Sequence, residues 1–151
     1  LVLVGCSKRD EYYDEAISQG AIVYNWINKS EISLYLNAAD IYLLPVFPPS
    51  DEGYGSKFIF SAGPAVALLE SLSCGVPAVS TTFIHFPNNE WQNCGLIPKD
   101  PKDVASCVER VLENPRAYDK GRQIVEKYYS WKALKSGLYT KYDELFKEYS
   151  F

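Results

Sequence analysis

The segment Ser61-Ala-Gly-Pro-Ala-Val-Ala-Leu-Leu-Glu70-Ser-Leu-Ser-Cys-Gly75-Val-Pro77-Ala-Val-Ser80 reads as a turn, a helix and a strand in immediate succession. Pro64 suits a first helical position, where its missing N–H is one that a helix leaves unpaired anyway. Ala65 to Cys74 continue the helix. Gly75 ends it, because glycine enters the left-handed conformation of a helix C-terminus without a Cβ penalty. Pro77 to Ser80 then read as a strand. A helix that feeds a strand in this way is part of a parallel β-α unit.

The same alternation extends outward in both directions. Upstream, Asp40 precedes Ile41-Tyr-Leu-Leu-Pro45, a strand stopped by proline. Residues 45–63 form a long loop rich in Pro, Gly and Ser, and loops of that length in an α/β domain are usually functional. Asn28 caps a helix, with Glu31 three residues on, and Ile32, Leu34, Tyr35, Leu36 and Ala39 give it an apolar face. Ala21 to Tyr24 is a short strand. Ser7 is expected to cap a helix, with Asp10 at its third position, that runs to about Gln19 and ends at Gly20. Leu1 to Val4, a continuous apolar run closed by Gly5, is expected to be a buried parallel strand.

Downstream, Thr81 to Asn93 is irregular and Gly95 to Pro98 is a short edge strand. Asp100 and Pro101 open a helix with an apolar stripe at Val104, Val108, Val111 and Leu112. After Asn114 and Pro115 a helix reaches about Tyr129. Ser130 caps the last one, Trp131 to about Tyr149. Its stripe of Trp131, Leu134, Leu138, Tyr142, Leu145 and Phe146 is expected to cover the domain's own sheet. The whole is an α/β domain, Rossmann-like, with helices on both faces of a parallel sheet in three α/β/α layers. Ligands of such sheets bind beyond the carboxyl ends of the strands. That gathers residues 5–8, 24–27, 45–63 and 80–83 around one crevice.

Composition narrows the function. The 151 residues are 47% hydrophobic and 23% charged, which excludes a disordered or collagen-like chain. Lys plus Arg number 15 and Asp plus Glu 19, a net charge of −4. An acidic chain with a pI near 5.0 lacks the basic face that nucleic-acid binding needs. Cys6, Cys74, Cys94 and Cys107 show no C-x-x-C pair and no accompanying His cluster, so free thiols in a reducing compartment are expected, and no metal site. No apolar run is long enough to span a bilayer. The chain contains no Met and opens inside an apolar run, so a fragment of a longer protein is expected.

The turn before the helix carries the chemistry. Gly63 lets a ligand approach the backbone, and the N–H groups of Ala65 and Val66 are free to meet an anion that the helix dipole favours. Pro64 supplies no donor. From Pro64 to Glu70 a helix rises about 9 Å, near the span from a diphosphate to a ribose, and a carboxylate can accept hydrogen bonds from both ribose hydroxyls. The plain alternative is that Glu70 faces solvent. Elsewhere, His85 has no visible partner for base catalysis. Cys74 reads as a small apolar residue. The tyrosines are too scattered for a base-stacking platform.

The run Leu-Leu-Glu70-Ser-Leu-Ser-Cys-Gly75-Val-Pro77-Ala-Val resembles the signature of the retaining glycosyltransferases of family 4, group 1. The resemblance covers nearly the whole chain. It includes Leu1 to Gly5, Tyr35 to Pro45 (with Val46 where Ser is usual), Asn93 to Pro98, and Ser130-Trp131. It implies the C-terminal, donor-binding half of a two-domain GT-B fold, occupying 1–151 as a single domain. The final helix, 131–149, would contact the N-terminal domain. The domain's first strand, with its Gly-Arg turn and following Lys, would precede Leu1, so the sheet is expected to show a gap.

The same resemblance implies the site. Gly63, Pro64, Ala65 and Val66 match the diphosphate-binding turn, Glu70 the ribose-binding glutamate, and Tyr24 to Trp26 the loop that meets the nucleobase. The family's first glutamate, which contacts the transferred sugar, falls at Ala62. Glu52, with Asp51, is a carboxylate of the preceding loop that can replace it. Tyr54, between Gly53 and Gly55, can close over a sugar. Lys57 can approach the phosphates, although a solvated loop lysine is the simpler reading.

The implied reaction moves a hexosyl unit from a nucleotide-diphosphate sugar to a glycan or lipid-linked acceptor, with retention. It uses no cofactor or metal, no nucleic acid, and no protein nucleophile from this domain. The fragment alone is expected to be inactive. The parent would be cytoplasmic, at the membrane surface if it is a peripheral membrane enzyme. Two alternatives stand beside it. One is an inactive Rossmann-like binding or interaction module, which Ala62 favours. The other is a GT-B-type nucleotide-sugar epimerase, whose histidine and glutamate pattern is not found.

Overall fold

Two glycines end two helices in the same way. At the end of α1 (Tyr13–Ser18), Gly20 has φ +84° and its N–H donates to the Ile17 carbonyl at 3.0 Å, while the Ala21 N–H donates to Ala16, also at 3.0 Å. At the end of α3 (Val66–Ser73), Gly75 has φ +79°, its N–H donates to Leu72 at 2.9 Å, and the Val76 N–H reaches Ser71 at 3.1 Å. These paired bonds satisfy the last helical carbonyls and turn the chain back into a strand. Both stops were expected from the glycines alone. The structure, a computed structural model, describes residues 1–47, 65–81, 83, 86 and 89–149. The chain divides into two units, Leu1–Tyr35 and Leu36–Phe151.

In the first unit β1 (Val2–Val4) pairs in parallel with β2 (Ile22–Tyr24), Leu3 opposite Val23. The Gly5 N–H extends the pairing to the Tyr24 carbonyl at 2.9 Å. The expected cap at Ser7 forms as a separate turn instead. The Asp10 carboxylate accepts both the N–H and the hydroxyl of Ser7, which holds its pKa below the usual range. The helix starts later, at Tyr13, because that carboxylate is already committed to its own turn. The expectation of a buried β1 is corrected too, since Val2 is 48% and Val4 57% exposed. Two short strands and a six-residue helix cannot cover both faces of a sheet. The short helix α2 (Ile32–Asn37) runs across the division between the units.

In the second unit β3 (Tyr42–Leu44), β4 (Ala78–Ser80) and β5 (Gly95–Leu96) form a parallel sheet in that order. Tyr42 lies opposite Ala78, and Ala78 opposite Gly95. The strands thus form two sheets, one in each unit. All three residues of β4 are buried. Its two faces pack on different helices, because side chains alternate along a strand. Ala78 joins Leu68 and Leu72 of α3, Ile124 and Val125 of α5 (Gly121–Tyr129), Phe83, Phe86 and Cys94. Val79 joins Cys107 and Val111 of α4 (Asp103–Glu113). This gives helix, sheet and helix layers within the unit.

Close packing shows at Gly121, where an added Cβ would meet Leu72 Cδ2 at 2.9 Å, so glycine lets α5 lie against α3. Of the expected cap residues, Ser130 caps the last helix, whereas Asp100 forms a turn ahead of α4, which opens at Asp103 with Lys102 as its N-cap. The Lys102 N–H donates to the Asp100 carboxylate at 2.7 Å, and the Ala133 N–H to the Ser130 hydroxyl at 3.2 Å. The last helix, α6 (Trp131–Tyr149), does not cover its own sheet. Trp131 is 87% exposed, and Leu134, Leu138, Tyr142, Leu145 and Phe146 are exposed with it. Of residues 131–148 only Ala133 is even half-buried. The apolar stripe expected to face the sheet therefore meets solvent, since α3 and α5 already fill that layer.

Candidate functional site

The candidate site is built on α3. Its N-cap is Ala65, with φ −59° and ψ 139°, and the helix proper begins at Val66. The expected start at Pro64 is therefore corrected by two positions. The Leu68 and Leu69 N–H groups both donate to the Ala65 carbonyl, at 3.0 and 3.1 Å. Helix geometry gives the N–H groups of Val66 and Ala67 no partner inside the helix. Ala65 has no side-chain oxygen to cap them, and Val66 is 71% exposed. Among the described residues no side chain caps this end of the helix, so the positive end of the helix dipole can face a ligand.

Glu70 follows one turn later on the same helix. The rise from Val66 is about 6 Å, shorter than the span expected from a Pro64 start. Helical side chains lean toward the N-terminus, which carries the carboxylate back toward the open end. Glu70 is half-buried, neither a core residue nor a freely solvated one. Its neighbours fix the helix: Leu68, Ser71 and Leu72 are fully buried, and the Ser71 hydroxyl donates to the Leu68 carbonyl at 2.9 Å. Tyr42 of β3 packs against the same core cluster. Burial first, and the Glu70 charge second, push the Tyr42 phenol pKa upward. Sequence reading missed Tyr42. A tyrosine in an otherwise aliphatic strand was the only signal, and its strand position says nothing of a partner on a helix.

Ser80 and Thr81 at the carboxyl end of β4 were placed at the crevice by the sequence, but without a role. The Ser80 hydroxyl donates to the Leu44 carbonyl at 3.3 Å. The Thr81 hydroxyl donates to the Val46 carbonyl at 2.7 Å and accepts the Val46 N–H at 3.1 Å. Two hydroxyls therefore join the carboxyl ends of β3 and β4.

The segment that leaves β4 is anchored further on. Phe83 stacks on Trp91 with centroids 5.8 Å apart, and Phe86 meets Phe83 at 5.4 Å and Tyr129 at 5.4 Å. Glu90 opens a short 3₁₀ turn, Glu90–Asn93, and its Oε1 accepts Lys127 Nζ at 2.8 Å and the Tyr128 hydroxyl at 2.6 Å. These bonds lower the Glu90 pKa and raise that of Lys127. Burial, with a smaller effect of the Glu90 charge, pushes the Cys94 thiol up to about 12.

Tyr24 and Trp26 belong to the first unit. Tyr24 ends β2 and meets the Tyr35 ring edge-on at 5.3 Å. Trp26 is 79% exposed, while Ile27 beside it is buried. Gly63, Pro64, Ala62, Glu52, Tyr54, Asp51, Lys57 and His85 lie outside the described residues. All four cysteines are free. Among the described residues, no group of three His, Cys, Asp or Glu is arranged to hold a metal, and no helix is long and apolar enough to cross a membrane.

Residues 1–114 match the family model described as glycosyl transferases group 1. A comparison with curated proteins finds no match. Among solved structures, the chain is similar to the sucrose-phosphate synthase of Thermosynechococcus elongatus, with a TM-score of 0.65 and 21% identity. The likeness covers 98% of this chain and 39% of that one, so the chain spans well under half the length of its structural neighbour. The fold is the mixed α/β type, with parallel sheets, of a Rossmann-like GT-B fragment.

Proposed function

The chain belongs to the group 1 glycosyl transferases, and from that membership we propose that it is the C-terminal, donor-binding domain of a retaining family 4 enzyme. The enzyme moves a hexosyl unit from a nucleotide-diphosphate sugar to a glycan or lipid-linked acceptor. One observation carries this reading: the uncapped start of α3, with Glu70 one turn behind it. The turn at 63–66, with the Val66 and Ala67 N–H groups, receives the diphosphate. As the glycosidic bond breaks, negative charge grows on that leaving group, and fixed N–H dipoles stabilise it without reorganising. Glu70 accepts the ribose hydroxyls. Ala62, Glu52 and Tyr54 belong to the sugar end. The enzyme works on the cytoplasmic side, where its four cysteines stay reduced.

The test is a titration of the full-length parent with UDP, GDP and ADP, beside its Glu70→Ala variant. The expected result is that one nucleotide binds and the variant binds it more weakly by about 1.5–3 kcal/mol, the range for hydrogen bonds to a charged group. If none binds, the donor site is absent; if the variant binds equally well, Glu70 does not hold the ribose. Ala62 favours a second reading, a relative that keeps the fold as a binding module after losing sugar transfer. A parent that binds a nucleotide yet transfers no sugar from any nucleotide-sugar donor would establish it.

A further inference from the structure

The β3–β4 ladder meets an obstacle at its carboxyl end. Register runs Tyr42 to Ala78, Leu43 to Val79 and Leu44 to Ser80, so the next pair would be Pro45 with Thr81. Proline has no N–H and cannot donate to a ladder. The chain instead turns tightly about Pro45, and the Val46 N–H donates back to the Leu44 carbonyl at 3.1 Å. The Thr81 hydroxyl supplies the missing rung. A hydroxyl can donate and accept through one atom. Here it does both toward one residue, accepting the Val46 N–H at 3.1 Å and donating to the Val46 carbonyl at 2.7 Å.

From this geometry we infer that Thr81 is a positioning residue for nucleotide binding, acting through Val46. The inference rests on the donor-site reading above. Thr81 and Val46 stand just past the carboxyl ends of β4 and β3, the edge at which sheets of this kind bind their ligands. Between them they fix where the chain leaves β3 on its way to α3. Thr81 does not touch the ligand; it holds the backbone that the ligand approaches. Valine at 81 keeps the shape and loses both bonds. Serine keeps the hydroxyl.

The test compares full-length parent, Thr81→Val and Thr81→Ser by two measurements. Hydrogen exchange by mass spectrometry on the peptide covering 43–47 reports the latch. Pro45 has no amide, so Val46 contributes a large share of that signal. Titration with UDP, GDP and ADP reports the consequence for binding. The expected result for Thr81→Val is faster exchange in that peptide and roughly tenfold weaker nucleotide binding, with the variant still folded at the assay temperature. Thr81→Ser should restore both. Unchanged exchange in Thr81→Val overturns the latch. Faster exchange with unchanged nucleotide affinity overturns the positioning role. If the parent binds none of the three nucleotides, the donor-site reading fails and the positioning role with it, while the exchange data still report whether the latch exists.

Discussion

Replacing Gly95 by alanine isolates the tightest backbone approach in the described residues. A Cβ at that position would lie 1.8 Å from the Ala78 carbonyl oxygen, 2.7 Å from its carbon and 2.9 Å from its nitrogen. All three neighbours are backbone of the central strand β4, so no side-chain rotation relieves the clash. Relief requires β5 to move away from β4 by more than an ångström. That movement strains the bond from the Ala78 N–H to the Cys94 carbonyl, now 3.0 Å, between two residues with no solvent exposure. A buried group left unpaired costs about 1–3 kcal/mol. Overpacking adds about 1–3 kcal/mol. The total is roughly 2–6 kcal/mol, a large part of the stability of an ordinary domain.

Gly75→Ala is the matched control in the same unit. Its φ of +79° is left-handed, but nothing lies within 4 Å of the added Cβ. That variant costs conformational strain alone, about 1–2 kcal/mol. Urea unfolding followed by tryptophan fluorescence separates the two, because half-buried Trp91 reports this unit, while Trp26 and Trp131 are exposed already. With an m-value near 2 kcal/mol/M, the midpoint should fall by about 1–3 M in Gly95→Ala and about 0.5–1 M in Gly75→Ala. A Gly95→Ala midpoint no lower than that of Gly75→Ala would refute the packing argument.

Other outcomes follow from the electrostatics. The Glu90 pKa is lowered in the folded protein, chiefly by its hydrogen bond from Lys127 and then by that from Tyr128. Its contribution to stability is therefore present above the unfolded carboxylate pKa and is lost as pH falls through the lower folded value. Chemical denaturation at a series of pH values should show parent and Glu90→Gln converging on the acid side and differing near neutrality. A constant difference across that range would remove Glu90 from the account. The cysteines should separate by reactivity: Cys94 and Cys107 are buried and their thiols pushed upward, whereas Cys6 and Cys74 are partly exposed. A thiol reagent at mildly alkaline pH should label Cys74 well before Cys94 and Cys107, which should react only as the protein opens. Rapid labelling of all four would contradict the burial described.

Much of the architecture was legible because it rests on local rules. The glycines at 20 and 75 end helices by a conformational preference that needs no distant partner. Ser130 caps a helix for an equally local reason. Local rules also failed where two were in competition. Ser7 and Asp10 satisfy each other within one turn, so the helix they were expected to open starts later. The candidate site was legible only in part. Glu70 stood out as a carboxylate among leucines, whereas Tyr42 and Thr81 needed partners that the chain brings from another strand or helix.

The amino-acid sequence by itself determined the alternation of strand and helix, the positions at which helices stop, and the presence of Glu70 on α3. Each follows from backbone preference and short-range periodicity. The tertiary structure decided which apolar residues are covered. Periodicity gives α4 and α6 similar stripes, yet Val111 of α4 is buried against the sheet and Trp131, Leu138 and Phe146 of α6 are exposed. Amphipathicity states that a face requires a partner, and only the packing of the other layers determines whether one is present. The same holds for Thr81. A threonine after a strand is unremarkable until register sets it opposite a proline, where its hydroxyl serves a backbone that proline cannot.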